Sequence, residues 1–323
     1  MATRHQPTLL YAYDPAQRAR FAAHPCAPRL IDNPPGVPVW LPPADADAIV
    51  CFLGSWAKAP KQAPEGWPFN IKYIQFASAG VDTLPEWAHT IPYVASARGI
   101  TAEPIAEYVM AAIMADCKRL DLLVAGMRAS DVPFDETQWP TGAMRSIKGQ
   151  TLGLVGYGAI GQAIARRAEA FGMEVIATRR SGGDGSPRFV AGIDELAARA
   201  DQLVLCAPAT AETLRMIDDR VLSLVKPTAH LINVARGTLV DHEALLRALD
   251  AGRLHHATLD VTDPEPLPKD HPLMSHERAT ITPHAAWYSP DHFDRVTAKL
   301  LDNLGRYANG EPLADIADFA RGY

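Results

Sequence analysis

The stretch TLGLVGYGAIGQAIARRAEAFG, Thr151 to Gly172, joins a strand-like apolar run to a helical pattern through Gly156, Gly158 and Gly161. Glycines spaced Gly-x-Gly-x-x-Gly at a strand–turn–helix junction have distinct physical uses. The first makes the tight turn, the second lets a pyrophosphate approach the backbone, and the third lets helix and strand pack closely. The helix that follows offers free N–H groups and its positive end to a diphosphate. The turn from Gly156 to Gly161, with Tyr157, Ala159 and Ile160 between the glycines, therefore reads as a dinucleotide-binding turn.

Moving outward, the next strand reads EVIATRRSGGDG, Glu174 to Gly185. Its end lies roughly 20 positions into the motif, where a carboxylate would accept hydrogen bonds from a ribose 2′-hydroxyl. Arg179 stands there instead, flanked by Thr178, Arg180 and Ser181. Guanidinium forks and hydroxyls suit a phosphate, so the expected cofactor is NADPH/NADP, with NADH the weaker alternative.

The same alternation runs along the whole chain. TLLYAY, DAIVCFL and IKYIQFA are strand-like near the start. After the glycine turn come MEVIAT, QLVLCAP, AHLINVA and HATLDV, with helical segments near 160–171, 194–200 and 241–251. Residues 103–125 read as one long helix, with Thr101 as a possible N-cap and Gly126 near its end. The rhythm predicts two doubly wound α/β domains with parallel sheets, the second of five strands. The expected boundaries are 1–99 plus 288–323 for a discontinuous first domain, and 100–287 for the dinucleotide domain. A chain of 323 residues fits two domains at about 150 each.

With 48% hydrophobic and 21% charged residues and a net charge of −6, the composition is that of a soluble globular protein without a footprint for nucleic acid or anionic membrane. The four cysteines lack a Cys-x-x-Cys spacing, and the first residues, MATRHQPTLLYAYDP, lack the apolar core of a signal peptide, so reduced thiols in a cytoplasm are expected. The most apolar helical stretch is interrupted by Glu107, Asp116 and Lys118, against a membrane span. His255 with His256, and His271 with His276, do not make a metal-binding spacing.

Three later segments carry chemistry: LINVARGTLVD with Arg236, TLDVTDPEPLP with Asp260 and Glu265, and ITPHAAWYS with His284 and Trp287. Each follows a predicted strand, where open α/β sheets bind ligands. Together with the glycine turn, these motifs resemble the D-2-hydroxyacid dehydrogenase family over nearly the whole chain. The resemblance implies a Rossmann cofactor domain, a flavodoxin-like substrate domain and a homodimer. It implies that Arg236 binds the carboxylate and polarises the carbonyl of a 2-keto acid, that His284 exchanges the proton, and that Glu265 holds the far nitrogen of His284 and favours the imidazolium. It also makes Ser78, Ala79, Gly80 and Val81 a carboxylate cradle and Thr101, Pro208, Asn233 and Asp260 cofactor contacts; the LGSW segment, following another first-domain strand, would face the same cleft with Ser55 and Trp56, ordinary core packing being the equal alternative for Trp56.

DVTDPEPLPKDHPL and the arginine pair look like the family's glyoxylate and hydroxypyruvate reductases. Trp287 adds two alternatives. HAAWYS also resembles the C-terminal binding proteins, dinucleotide-sensing corepressors of the same fold, and an indole lining the site would favour larger aromatic 2-keto acids.

Overall fold

In the computed structural model, residues 5–129, 144–179 and 187–319 are described. The chain divides into two compact units, one comprising residues 1–101 and 289–323 and the other 102–288.

The first unit is built on five parallel strands: β1 (Thr8–Ala12), β2 (Arg29–Asp32), β3 (Ala48–Cys51), β4 (Tyr73–Phe76) and β5 (Tyr93–Ala95), in the order β2-β1-β3-β4-β5, with α1 (Arg18–Ala22) between β1 and β2. Side chains alternate across the sheet, as the pleat requires. Leu10, Ile49, Cys51, Ile74 and Phe76 enter one core cluster, and Leu9, Tyr11, Val50 and Tyr73 enter another with Phe21 of α1. β2 is exposed at both ends and half-buried between, and β5 opens on an exposed tyrosine, so their short apolar patterns do not stand out in the sequence.

The second unit opens on a helix pair. The single helix expected over 103–125 is two helices, α2 (Ala102–Lys118) and α3 (Leu120–Ala129). Arg119 between them takes a left-handed φ of 43° and pairs its guanidinium with Asp121 at 3.0 and 3.2 Å. Leu122 and Leu123 both donate to the Arg119 carbonyl, so the hydrogen-bond ladder restarts there. The apolar pattern runs through this break, which is why periodicity does not reveal it.

A seven-stranded parallel sheet follows: β6 (Thr151–Val155), β7 (Glu174–Thr178), β8 (Arg188–Phe189), β9 (Gln202–Leu205), β10 (His230–Asn233), β11 (His256–Leu259) and β12 (Ala279–Ile281), ordered β12-β11-β10-β9-β6-β7-β8. The expected five strands are present, extended at the edges by the short β8 and β12. Among the crossovers are α4 (Ala159–Ala170), α5 (Ile193–Arg199), α6 (Asp219–Leu222) and α7 (His242–Asp250). Leu203, Leu205, Leu231 and Leu259 face α5, α6 and α7, while Leu152, Leu154, Val204 and Ile232 face α2 and α4. Burial on both faces explains why β9 and β10 are wholly buried.

The chain then returns to the first unit with α8 (His292–Asn309), whose Val296, Leu300 and Leu304 join the Leu9–Tyr73 face. Among the described residues, no helix is long and apolar enough to cross a membrane.

Candidate active site

The glycine turn leaves β6 with Gly156 at φ 99°, a conformation a side chain would strain. A Cβ on Gly156 would also stand 2.9 Å from the Ala207 backbone, and one on Gly161 would stand 2.6 Å from the Gly156 carbonyl oxygen. Nothing lies within 4 Å of a Cβ built on Gly158, the N-cap of α4. The two outer glycines therefore serve packing and the middle one faces open space at the helix start. Burial pushes the Cys206 thiol up to about 12, so it stays protonated and donates to the Gly156 carbonyl at 3.1 Å.

The Gly156 N–H reaches across to the Thr178 carbonyl at the end of β7 (3.0 Å). Arg179 follows, exposed, with its guanidinium carbon 4.9 Å from the centre of the Phe189 ring on β8. Phe189 in turn meets Tyr157 of the turn edge-on at 5.4 Å. An aromatic bridge thus links the diphosphate turn to the residue expected to read the 2′ position. Arg180 and Ser181 lie outside the described residues. The open middle glycine and the helix N-terminus together fit the diphosphate of a nicotinamide dinucleotide.

Three neighbouring strands carry the rest at one sheet edge. Asn233, Leu259 and Ile281 are in register at the ends of β10, β11 and β12. Arg236, Asp260 with Glu265, and His284 follow these ends. Asn233 is wholly buried; its amide nitrogen donates to the Arg236 carbonyl at 2.9 Å and its oxygen accepts from Ala235 N at 3.0 Å. Its side chain thus braces the turn that presents Arg236. Arg236 itself is half-buried, with Nη1 on the Ala235 carbonyl at 2.8 Å. A Cβ on Gly237 would come within 2.0 Å of the Thr262 carbonyl carbon, so only glycine lets this turn pass the loop that carries Glu265. No local sequence signal marks that contact.

His284 Nδ1 lies 2.5 Å from Glu265 Oε1, and both side chains are partly open to solvent, at 43% and 40%. Its Nε2 makes no hydrogen bond to a described residue. The His284 backbone is left-handed, φ 52°. Asp260, only 2% exposed, accepts from Thr282 Oγ1 at 2.7 Å, Ala285 N at 2.8 Å and Ala286 N at 3.0 Å. Its carboxylate thus staples the His284 loop. Trp287, read from sequence as pocket lining, donates its indole N–H to the His284 carbonyl at 2.8 Å.

In the first unit, Ser78 Oγ accepts from Leu53 N at 3.2 Å, fixing the Ser78–Val81 loop to the segment after β3. Ala79 is exposed, Gly80 half-buried, and Val81 packs in the core. Ser55 lines a cleft of about 570 Å³ with Tyr11, Tyr13, Arg18 and Asp32, near the carboxyl ends of β1 and β2. Trp56 does not line it. At 1% exposure it packs among Trp40, Trp67, Phe76 and Trp87 and donates to Cys51 Sγ, so it is a core residue. Thr101 precedes α2, and Pro208 gives its carbonyl to Thr213 Oγ1 at 2.9 Å. Among the described residues, no three His, Cys, Asp or Glu side chains are grouped to hold a metal ion.

The profile described as D-isomer specific 2-hydroxyacid dehydrogenase, NAD binding domain, matches residues 110–286. A glyoxylate reductase of Thermofilum pendens is 33% identical over 276 residues, covering 83% of this chain and 80% of that protein. The glyoxylate reductase/hydroxypyruvate reductase of Homo sapiens is 30% identical over 279 residues, covering 84% and 83%. The crystal structure of a D-isomer specific 2-hydroxyacid dehydrogenase family protein from Aeromonas salmonicida superposes with a TM-score of 0.81 at 29% identity, covering 97% of this chain and 99% of that one.

Proposed function

Because the chain belongs to the D-isomer-specific 2-hydroxyacid dehydrogenase family, we propose that it reduces a small 2-keto acid, glyoxylate or hydroxypyruvate, to the D-2-hydroxy acid with NADPH as preferred cofactor. The observation that carries the reading is the 2.5 Å contact of His284 Nδ1 with Glu265, at the sheet edge where Arg236 follows the neighbouring strand.

Reduced nicotinamide, when bound, supplies the hydride. The planar guanidinium of Arg236 binds the substrate carboxylate and draws electron density from the C2 carbonyl. His284 gives the proton to the developing alkoxide from Nε2, the nitrogen that Glu265 leaves available. Glu265 accepts a hydrogen bond from Nδ1 and so fixes the ring. At the other end of the cofactor, Arg179 supplies a positive fork for a 2′-phosphate, which supports NADPH over NADH.

A panel of 2-keto acids assayed with NADPH and NADH at matched concentrations tests the whole reading. Turnover of glyoxylate or hydroxypyruvate, faster with NADPH, is expected. Preference for NADH would remove the phosphate-site reading. Turnover confined to aromatic 2-keto acids would move the substrate class, and no turnover of any member would favour a dinucleotide-sensing binding module.

A further inference from the structure

A histidine that gives up a proton must point the right nitrogen at the substrate, and here the orientation is set through the main chain. The segment Thr282–Trp287 connects β12 to the end of the unit. His284 sits within it at a positive φ, which is uncommon for a residue with a β-carbon. Such a conformation persists only where the surroundings over-determine it.

Two sets of contacts do so. On one side, His284 N donates to the carbonyls of Asp260 (2.9 Å) and Thr282 (3.0 Å), while the Asp260 carboxylate collects the next two amides, Ala285 and Ala286. A carboxylate can only accept, so Thr282 donates to it, and the Tyr108 hydroxyl therefore donates to Thr282 at 2.7 Å. Burial pushes the Tyr108 phenol up, which keeps that donor protonated. On the other side, the indole N–H of Trp287 closes on the His284 carbonyl at 2.8 Å.

We infer that Trp287 is a positioning residue: its bond to the His284 carbonyl, opposed to the Asp260 staple, locks the left-handed backbone that turns the imidazole Nδ1 onto Glu265 and leaves Nε2 outward. The inference rests on His284 being the proton donor. It gives the tryptophan of HAAWYS a role in the rate of the chemical step, not in the choice of substrate.

The test is Trp287→Phe in the full chain, which keeps an aromatic ring and deletes the donor. With glyoxylate and NADPH, kcat is expected to fall about ten- to a hundredfold, as small misplacements of a reacting group do, with both KM values within about twofold. The ligand-free protein gives a second readout. The strongly deshielded Nδ1 proton expected for His284, assigned by its loss in Glu265→Gln, should move or broaden in Trp287→Phe. Tyr108→Phe, which removes only the far hydroxyl of the Asp260 chain, should lower kcat in the same direction by less, and it stands in should Trp287→Phe not fold.

An unchanged kcat and resonance would overturn the inference. So would a loss confined to the KM of the keto acid, which would make Trp287 a wall of the pocket. His284→Ala separates this from the parent reading. Full turnover without the imidazole sinks the proton-donor role itself, whereas a dead His284→Ala beside an unimpaired Trp287→Phe sinks only the positioning role.

Discussion

Histidine, acid and arginine gather at both edges of the sheet around β10 and β11, and the two sets differ in almost everything but residue type. At the amino edge, His230 and His256 open the strands opposite each other in register, close to Asp116, His255 and Arg145. His230 is fully buried and both ring nitrogens are used: Nδ1 on Gln202 Oε1 at 3.0 Å and Nε2 on Thr258 Oγ1 at 2.8 Å. Burial, only partly opposed by Asp116, pushes its pKa down to about 3. This imidazole stays neutral and has no nitrogen left for a ligand. At the carboxyl edge, His284 keeps one nitrogen on Glu265 and the other unbonded to described residues, with nearly half of its side chain exposed. An imidazole beside an acid and an arginine is thus spent where both its nitrogens are bonded, as in His230, and usable where one is left over, as in His284.

The sharpest way to break this contrast is to remove each histidine in turn. His284→Ala is expected to lower kcat by about 10²–10⁴, the usual contribution of a general acid, with little change in unfolding free energy or NADPH affinity. His230→Ala is expected to do the reverse, costing stability through unsatisfied Gln202 and Thr258 groups while folded protein turns over normally. Steady-state kinetics and urea unfolding on both variants read this directly. If His230→Ala lost turnover at full stability, the amino edge would have to belong to the chemistry.

A smaller effect belongs to the other carboxyl-edge cation. Arg179→Ala is expected to weaken NADPH about ten- to a hundredfold, one charge-assisted bond of about 1.5–3 kcal/mol, and to leave NADH unchanged. Because Arg179 is exposed, salt should erode the wild-type preference for NADPH. Titrations with both cofactors at low and high salt check it; equal losses for the two cofactors would assign Arg179 to general packing on Phe189.

How far these edges were legible in the sequence follows from what kind of information each residue needs. The glycine turn, Arg179, Arg236, Glu265 and His284 were readable because strand ends place them and the backbone or a charged tip supplies their expected chemistry. Asn233 and Asp260 were readable as polar strand-end residues, yet the bonds their side chains make to the Arg236 turn and the His284 loop are revealed only by the fold of those loops. Trp56 could not be decided between pocket and core because a strand-end aromatic has the same sequence signature whether it turns to a pocket or into a cluster of four other rings. Gly237 and Tyr108 gave no signal at all: each matters through one contact with a segment distant in the chain, at Thr262 and Thr282.

The amino edge also shows in how stability responds to acid. His230 has an ordinary histidine pKa of 6.5 when unfolded and about 3 when folded, so between these values the unfolded chain binds a proton that the folded chain refuses. Stability is therefore full above about 6.5 and falls with pH at about 1.4 kcal/mol per unit for each such group. Burial lowers His256 in the same direction. Burial alone would raise Asp116, but its hydrogen bond from His255, with His230 and Arg145, holds it at about 2, which adds a further loss only below 3.8. Urea unfolding from pH 7 to 4 should show this slope, and His230→Gln, which cannot titrate, should flatten it even if it starts less stable. An undiminished slope in that variant would place the acid sensitivity elsewhere and leave the two edges less different than their geometry makes them.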